Sequence, residues 1–291
     1  MTLTDAIFEQ LDLEHVEENL FRGFAQDHGA DRVFGGQVIG QALIAAGRTV
    51  KDRPCHSLHV YFLRPGDPKI PILYEVDRIR DGGSFTTRRV VAIQKGEAIF
   101  SMSASFQSIE VGLEHQIEMP DVPGPEELPT EEEVLERLLI DFPEVDENLL
   151  RMAHGERPLD VRRVQDFNYF NPKAMPPVKH IWYRSKIKLG NDLARHQCLL
   201  AYASDVGFLS TTSMPHGKSF MSGLMMASID HSLWFHRAFN LEDWILIAME
   251  STLSAGSRGF VRASMFTRDG TLIGSATQEG LIRDIGKLRV R

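Results

Sequence analysis

The sequence predicts an α+β chain made of two tandem copies of one unit, a buried helix followed by an antiparallel meander. Three observations carry this. A helical stretch with apolar residues on nearly all sides stands in each half; period-two strand patterns bounded by turn residues follow it; and short stretches of the two halves match in the same order. Gln41-Ala42-Leu43-Ile44-Ala45 matches Gln197-Cys198-Leu199-Leu200-Ala201, and Val60-Tyr61-Phe62-Leu63-Arg64 matches Leu233-Trp234-Phe235-His236-Arg237. Gly96-Glu97-Ala98-Ile99 then matches Gly270-Thr271-Leu272-Ile273. Apolar stretches align easily, so each match is weak alone, but their shared order argues for a duplication.

Residues 1–24 suggest a short amphipathic opening in which Leu11, Leu13 and Val16 serve packing. The helix from Phe34 to Gly47 enters on two glycines and is apolar all round, the mark of a buried helix. His56–Leu63, Ile72–Ile79, Phe85–Ile93 and Ile99–Phe106 read as strands between the turns Arg64-Pro65-Gly66-Asp67-Pro68, Asp81-Gly82-Gly83 and Lys95-Gly96. Residues 108–165 break the pattern. There Pro120, Pro123, Pro125 and Pro129 bracket an acidic block from Glu126 to Glu136, with a short helix expected around Val134–Ile140; such a charge run reads as a solvated connector without chemistry. From Ile181 the first pattern returns as a strand to Ile187, a helix over Leu199–Leu209, and strands over Met226–His236, Trp244–Leu253, Arg258–Phe266 and Leu272–Arg283. Asp269-Gly270 is a hairpin turn between the last two. The expected organisation is therefore an N-terminal repeat (1–107), a connector (108–165) and a C-terminal repeat (166–291).

Composition narrows the function. With 43% apolar and 25% charged residues in 291, the chain is ordinary soluble globular material with enough length for two modest domains. A net charge of -8 and the absence of a basic stripe interleaved with aromatics argue against nucleic acid as a partner. Cys55 and Cys198 stand far apart without a CxxC or Cys/His spacing, which suggests buried thiols in a reducing compartment. No stretch reaches the roughly 20 apolar residues that span a bilayer. The N-terminus is too acidic for a signal or transit peptide and the C-terminus lacks a Ser-Lys-Leu address, so a cytoplasmic location is expected.

One carboxylate stands out. Asp205 interrupts the apolar run Leu199–Leu209 near the end of its helix, where the helix dipole and the apolar flank both disfavour ionisation unless donors compensate. A solvated, frayed helix end would account for it as well. In the repeat register Asp205 falls opposite Thr49, and Gln278 opposite Ala104, so polar groups enter one half where the other is small or neutral. That implies one active half. Other motifs point to packing. Ala255-Gly256-Ser257-Arg258-Gly259 approximates an esterase elbow, but β-patterned residues follow it where a helix is required, leaving Ser257 as part of a strand-entry turn. The pairs His56/His59 and His231/His236 lack a carboxylate at a ligand spacing, so no metal is expected. Asp230-His231 could serve a hydratase only if an irregularity brought two adjacent strand residues to one face.

Longer blocks identify a family. Glu17-Glu18-Asn19-Leu20-Phe21-Arg22-Gly23, Gly35-Gly36-Gln37-Val38, His56-Ser57-Leu58-His59-Val60-Tyr61-Phe62-Leu63-Arg64-Pro65-Gly66-Asp67 and Ala104-Ser105-Phe106-Gln107 resemble the acyl-CoA thioesterase II family. So do Leu200-Ala201-Tyr202-Ala203-Ser204-Asp205, Asp230-His231-Ser232-Leu233-Trp234-Phe235-His236-Arg237, Glu250-Ser251, Arg258-Gly259-Phe260-Val261-Arg262 and Gln278-Glu279-Gly280. The resemblance spans nearly the whole chain and implies a double hotdog fold that hydrolyses fatty acyl-CoA with a directly attacking water. It carries the family's catalytic aspartate to Asp205 and the glutamine to Gln278. The hydroxyl residue, usually threonine, is here Ser228, which keeps the donor and acceptor but loses the methyl that restricts χ1. Acyl-CoA is then the substrate, no cofactor is needed, and a homo-oligomer is expected.

The chemistry suits these side chains. A thioester is an activated acyl group, so the protein has to aim a water, accept its proton and stabilise the oxyanion, without a covalent nucleophile. Backbone N–H groups at a helix start, near Gly35-Gly36 or before Cys198, are candidates for polarising the carbonyl. Two other functions share the fold: a non-catalytic acyl-CoA binder, which has no reason to keep Asp205, Ser228 and Gln278 together, and a hotdog enoyl-CoA hydratase.

Overall fold

The computed structural model of the chain describes residues 11–25, 32–144 and 158–286. Its elements in order are β1 (Glu14–Glu17), β2 (Leu20–Gly23), α1 (Gly35–Gly47), β3 (Cys55–Phe62), β4 (Ile72–Asp81), β5 (Phe85–Gln94), β6 (Glu97–Gln107) and α2 (Glu131–Asp141). There follow β7 (Leu159–Arg163), β8 (Val178–Ser185), α3 (Leu193–Ala203), β9 (Leu224–Ser228), β10 (Asp230–Phe235), β11 (Ile245–Ala255), β12 (Arg258–Thr267) and β13 (Leu272–Asp284). The period-two runs pair into one antiparallel sheet in the order β1-β2-β4-β5-β6-β3-β10-β13-β12-β11-β8-β7, with β9 also on β13. The first half's β2-β4-β5-β6-β3 recurs as β8-β11-β12-β13-β10, and the two sets meet where β3 pairs with β10, Leu58 opposite Leu233. The double hotdog holds: α1 and α3 lie inside, and Ile39, Leu58, Leu200 and Leu233 are fully buried. Side chains of this kind contribute about 1.5–3 kcal/mol each.

Irregularities fix the internal register. The β5/β6 hairpin shifts between Ala92 and Ile93, and β12/β13 shifts at the matching place, between Met265 and Phe266. Laying these bulges over each other puts Arg88 on Val261 and Ala104 on Gln278. A second bulge interrupts β3 between Cys55 and Ser57, and its counterpart at Ile229 separates β9 from β10. This puts Cys55 on Ser228 and Leu58 on His231. The strand expected over Met226–His236 is therefore two segments, because a bulge adds an unpaired residue and breaks the ladder.

Small residues bring the helices together. A Cβ on Gly36 would lie 2.4 Å from the Tyr202 carbonyl oxygen, and one on Gly40 3.2 Å from that of Cys198. The contact is antiparallel, so the start of α1 meets the end of α3.

Other elements also differ from expectation. Asp192 caps α3 by accepting the Ala194 N–H at 3.0 Å, so the helix begins earlier than the apolar pattern and ends before Asp205. The opening is a β1/β2 hairpin with Leu11 and Leu13 buried and Val16 exposed; residues 1–10 of that segment lie outside the described residues. Thr130 and Glu133 form a capping box that starts α2 ahead of the expected Val134. Within residues 108–165, β7 also pairs with β8 and forms the sheet's edge. The Trp182 indole donates to the Pro123 carbonyl at 3.0 Å, and Met119, Val122 and Leu128 pack on Trp182, Trp244, Leu246 and Phe266. Among the described residues no helix is long and apolar enough to cross a membrane.

Candidate functional site

The helix crossing delivers Asp205 to a set of donors. Asp205 sits just beyond the end of α3, the negative end of that helix dipole. From β13, Gln278 Nε2 donates to Asp205 Oδ1 at 2.8 Å and to Ser228 Oγ at 2.6 Å. Ser228, closing β9, donates to Asp205 Oδ1 at 3.5 Å. The first turn of α1, whose N-cap Phe34 has no side chain to bond it, supplies the Gly36 N–H to the carboxylate. Gly35 is equally constrained, since a Cβ there would lie 2.7 Å from Asp205 Oδ2. The carboxylate thus lies between the negative end of one helix and the positive end of the other. Withdrawal from water raises Asp205 from 3.8 to about 6, against the pull of Gln278, Gly36, Ser228 and the Arg32 charge. A carboxylate at that value is ionised at neutral pH yet basic enough to take a proton.

Both N–H groups of the Gln278 amide are spent on these contacts. Its Oε1 is buried and without a partner among the described residues.

The turn carrying Asp205 is held on either side. The Ser204 hydroxyl donates to the Ala201 carbonyl at 2.8 Å, and His231 Nε2 lies 3.0 Å from Ser204 Oγ. Beyond Asp205, buried Lys179 donates to the Gly207 carbonyl at 3.1 Å and to Ser210 Oγ. Burial pushes Lys179 down from its usual range, and its charge pulls Tyr169 down to about 8. Asp230 Oδ1 accepts the N–H of Glu279, next to Gln278.

The matching place in the N-terminal half is filled differently. Thr49, Cys55 and Ala104 stand where Asp205, Ser228 and Gln278 stand, and Arg88 replaces Val261. The Arg88 side chain is buried and bonds Thr49 Oγ1 at 2.8 Å, the Thr49 and Arg80 carbonyls at 3.1 Å each, and Asp81 Oδ1 at 2.6 Å. A guanidinium with its donors satisfied occupies the space that the other half gives to the polar set.

The three residues singled out from sequence, Asp205, Ser228 and Gln278, thus converge. Asp230 and His231 do not: a bulge precedes them, but one bonds a strand N–H and the other the Ser204 turn. His56, His59 and His236 each bond a serine, Ser105, Ser232 and Ser275, across the sheet at 2.8–2.9 Å. Ser257 lies in the hairpin between β11 and β12 with φ of 59°, a strand-to-strand turn. Cys55 and Cys198 are free and buried, and burial raises both thiols, Cys198 to about 12. Gly36 carries a different task from the one read in sequence: its N–H goes to Asp205. Sequence reasoning passed over Arg88, although its inward place between Thr86 and Val90 was readable from the strand's period.

Residues 24–107 match the family model described as acyl-CoA thioesterase N-terminal domain, and residues 150–281 that described as acyl-CoA thioesterase. The chain is 42% identical over 275 residues to acyl-CoA thioesterase 2 of Haemophilus influenzae, which covers 94% of this chain and 95% of that one. It is also 42% identical over 281 residues to mouse acyl-coenzyme A thioesterase 8, covering 94% of this chain and 87% of the relative. The crystal structure of an acyl-CoA thioesterase II, TesB2, from Mycobacterium marinum superposes with a TM-score of 0.76 at 38% identity, over 96% of this chain and 98% of the other.

Proposed function

The chain belongs to the acyl-CoA thioesterase family, hydrolases of thioesters, and we propose that it cleaves fatty acyl-CoA to free acid and CoA with Asp205, Ser228 and Gln278 as its catalytic set. The buried, unpartnered Gln278 Oε1 is the observation that carries the assignment. A buried acceptor left alone costs about 1–3 kcal/mol, so a donor belongs there. A water giving one proton to Gln278 Oε1 and the other to Asp205 has its lone pair free for the thioester carbonyl. In the attack the water oxygen bonds the carbonyl carbon and its proton passes to Asp205. The tetrahedral oxyanion then collapses, the C–S bond breaks, and the proton on Asp205 neutralises the departing thiolate. Ser228 and Gln278 orient water and base; the route needs no cofactor.

Release of CoA thiol from straight-chain acyl-CoA esters of increasing length, followed with a colour reagent, tests this. Fatty acyl esters are expected to turn over and Asp205→Asn to abolish most of the release. Failure to release thiol from any of them would overturn the reading.

The remaining readings are part of the same proposal. The domain limits 1–107, 108–165 and 166–291 leave all three catalytic residues in the last unit. Two inert buried thiols support a cytoplasmic location, checked by cell fractionation. A homo-oligomer is supported by Ile109, Val111 and Leu113, which alternate along the segment after β6 at 87%, 101% and 105% exposure. Light scattering at micromolar chain concentration is expected to give at least twice the 32.8 kDa chain mass.

A further inference from the structure

His231 is a buried, titratable side chain that the hydrolytic route does not use. No part of its surface is exposed, and one ring nitrogen, Nδ1, has no partner among the described residues. Packing does not demand a histidine there. In the N-terminal repeat the same register position is Leu58, also fully buried, so the fold accepts an aliphatic side chain at this site. Among the described residues the imidazole's one polar contact is Ser204 Oγ at 3.0 Å. Ser204 in turn differs from its repeat counterpart, Arg48, which reaches Leu13 and Asp12 at the surface. Both members of the contact are therefore peculiar to the half that holds Asp205, and Ser204 is its immediate neighbour.

We propose that His231 is a positioning residue for thioester hydrolysis, acting through the Ser204 hydroxyl to fix the turn that aims Asp205 at its water. The inference rests on the assignment of Asp205 as the base. Because Ser204 donates its own proton to the Ala201 carbonyl, its oxygen accepts from His231, which makes Nε2 the protonated nitrogen. The ring is edge-on to Phe208 at 5.5 Å, and burial lowers His231 to about 3, so it stays neutral with that tautomer over the working pH range. The hydrogen bond ties the last turn of α3 to β10. Without it the turn loses its tie to β10 and keeps only its bonds within the turn, to Lys179 and through the carboxylate. Misplacement of a reacting group by about 1 Å costs on the order of 100-fold in rate, so a single tether here has leverage on kcat.

Four variants of the full chain test this: His231→Leu, His231→Gln, Asp205→Asn, and the double variant Asp205→Asn with His231→Leu. His231→Leu installs the side chain that the first repeat already packs at this place, so it is expected to fold and melt no lower than the wild type. Its kcat is expected to fall by about 10- to 100-fold with KM for acyl-CoA within about twofold of wild type. His231→Gln keeps an N–H at similar reach and should recover most of kcat. In the double variant the leucine should add no further loss, because the base it would misplace is already gone. An unchanged kcat in His231→Leu overturns the proposal, as does a loss that glutamine fails to rescue or that adds fully to that of Asp205→Asn. A near wild-type Asp205→Asn enzyme instead overturns the base assignment on which the inference rests.

Discussion

Asparagine at position 205 removes the proposed base at almost constant volume. Asp205 titrates near 6, so kcat/KM of the wild type should rise with pH through about 6 and level off above it. Loss of a general base costs about 100- to 10,000-fold, which is about 3–5 kcal/mol of barrier. Asp205→Asn is therefore expected to lose at least about 100-fold in kcat and to lose the acidic limb of the pH profile with it. Stability should move the other way. A carboxyl that holds its proton more tightly when folded contributes stability below its unfolded value of 3.8 and loses that contribution as pH rises through about 6. The difference corresponds to at most about 3 kcal/mol, less about 1 kcal/mol because asparagine offers one acceptor oxygen in place of two. The variant should then melt several degrees above the wild type at pH 7 and above, with the gap narrowing toward pH 4. Thiol release across pH and thermal melts at the same pH values measure both. A variant retaining more than about a tenth of wild-type kcat, or a wild-type kcat/KM flat across about pH 5–7, refutes Asp205 as the base.

Three further outcomes are expected. Gly36→Ala places a Cβ 2.4 Å from the Tyr202 carbonyl oxygen, so the helices must separate at a cost of about 1–3 kcal/mol; melting should drop, and the acidic limb should move upward as Asp205 loses its backbone donor. Arg88→Val copies the residue of the C-terminal half into the N-terminal one and removes the guanidinium's bonds to Thr49, Arg80 and Asp81, which should lower stability by about 2–4 kcal/mol in denaturant titrations while kcat per folded chain is unchanged. Ser228→Ala deletes the hydroxyl on Gln278 and should lower kcat a few-fold to about tenfold, whereas Ser228→Thr limits χ1 and should match or exceed the wild type. Steady-state thiol release separates these from the aspartate variant.

Local patterns carried much of this into the sequence. Turn residues and period-two runs gave the β4–β6 and β11–β13 meanders, and colinear fragments gave the repeat. The resemblance marked Asp205, Ser228 and Gln278. What was not legible depends on contacts between distant segments. The apolar run at Leu199–Leu209 placed Asp205 within a helix, because the start of α3 is set by the polar Asp192 cap and not by hydrophobic period. The role of Gly36 needs the crossing of α1 over α3, which no local pattern announces. The strand's period places Arg88 inward, but only the paired bulges align it with Val261 opposite Gln278. The same bulges reveal that His231 stands where a leucine suffices.

The asymmetry between the repeats follows from how each helix N-terminus is satisfied. At α3 the capping position is Asp192, whose side chain takes the Ala194 N–H within the same half. The residue at the corresponding place in α1 is Gly36, the second residue after a phenylalanine N-cap without a side-chain acceptor, so the first N–H groups of that helix need an acceptor from elsewhere. Asp205 is that acceptor, delivered by the end of α3. An acidic group at the end of α1 would meet instead a helix start already capped by another carboxylate, and Thr49 stands there with Arg88 filling the space. The charge at the unfavourable end of α3 is thus met by an uncapped helix start as well as by Gln278 and Ser228, and each repeat supplies one of those two helix ends. The N-terminal half, although it lacks Asp205, Ser228 and Gln278, completes the electrostatics around Asp205 through the Gly36 N–H, so the glycine pair at positions 35 and 36 serves the proposed base as well as the packing.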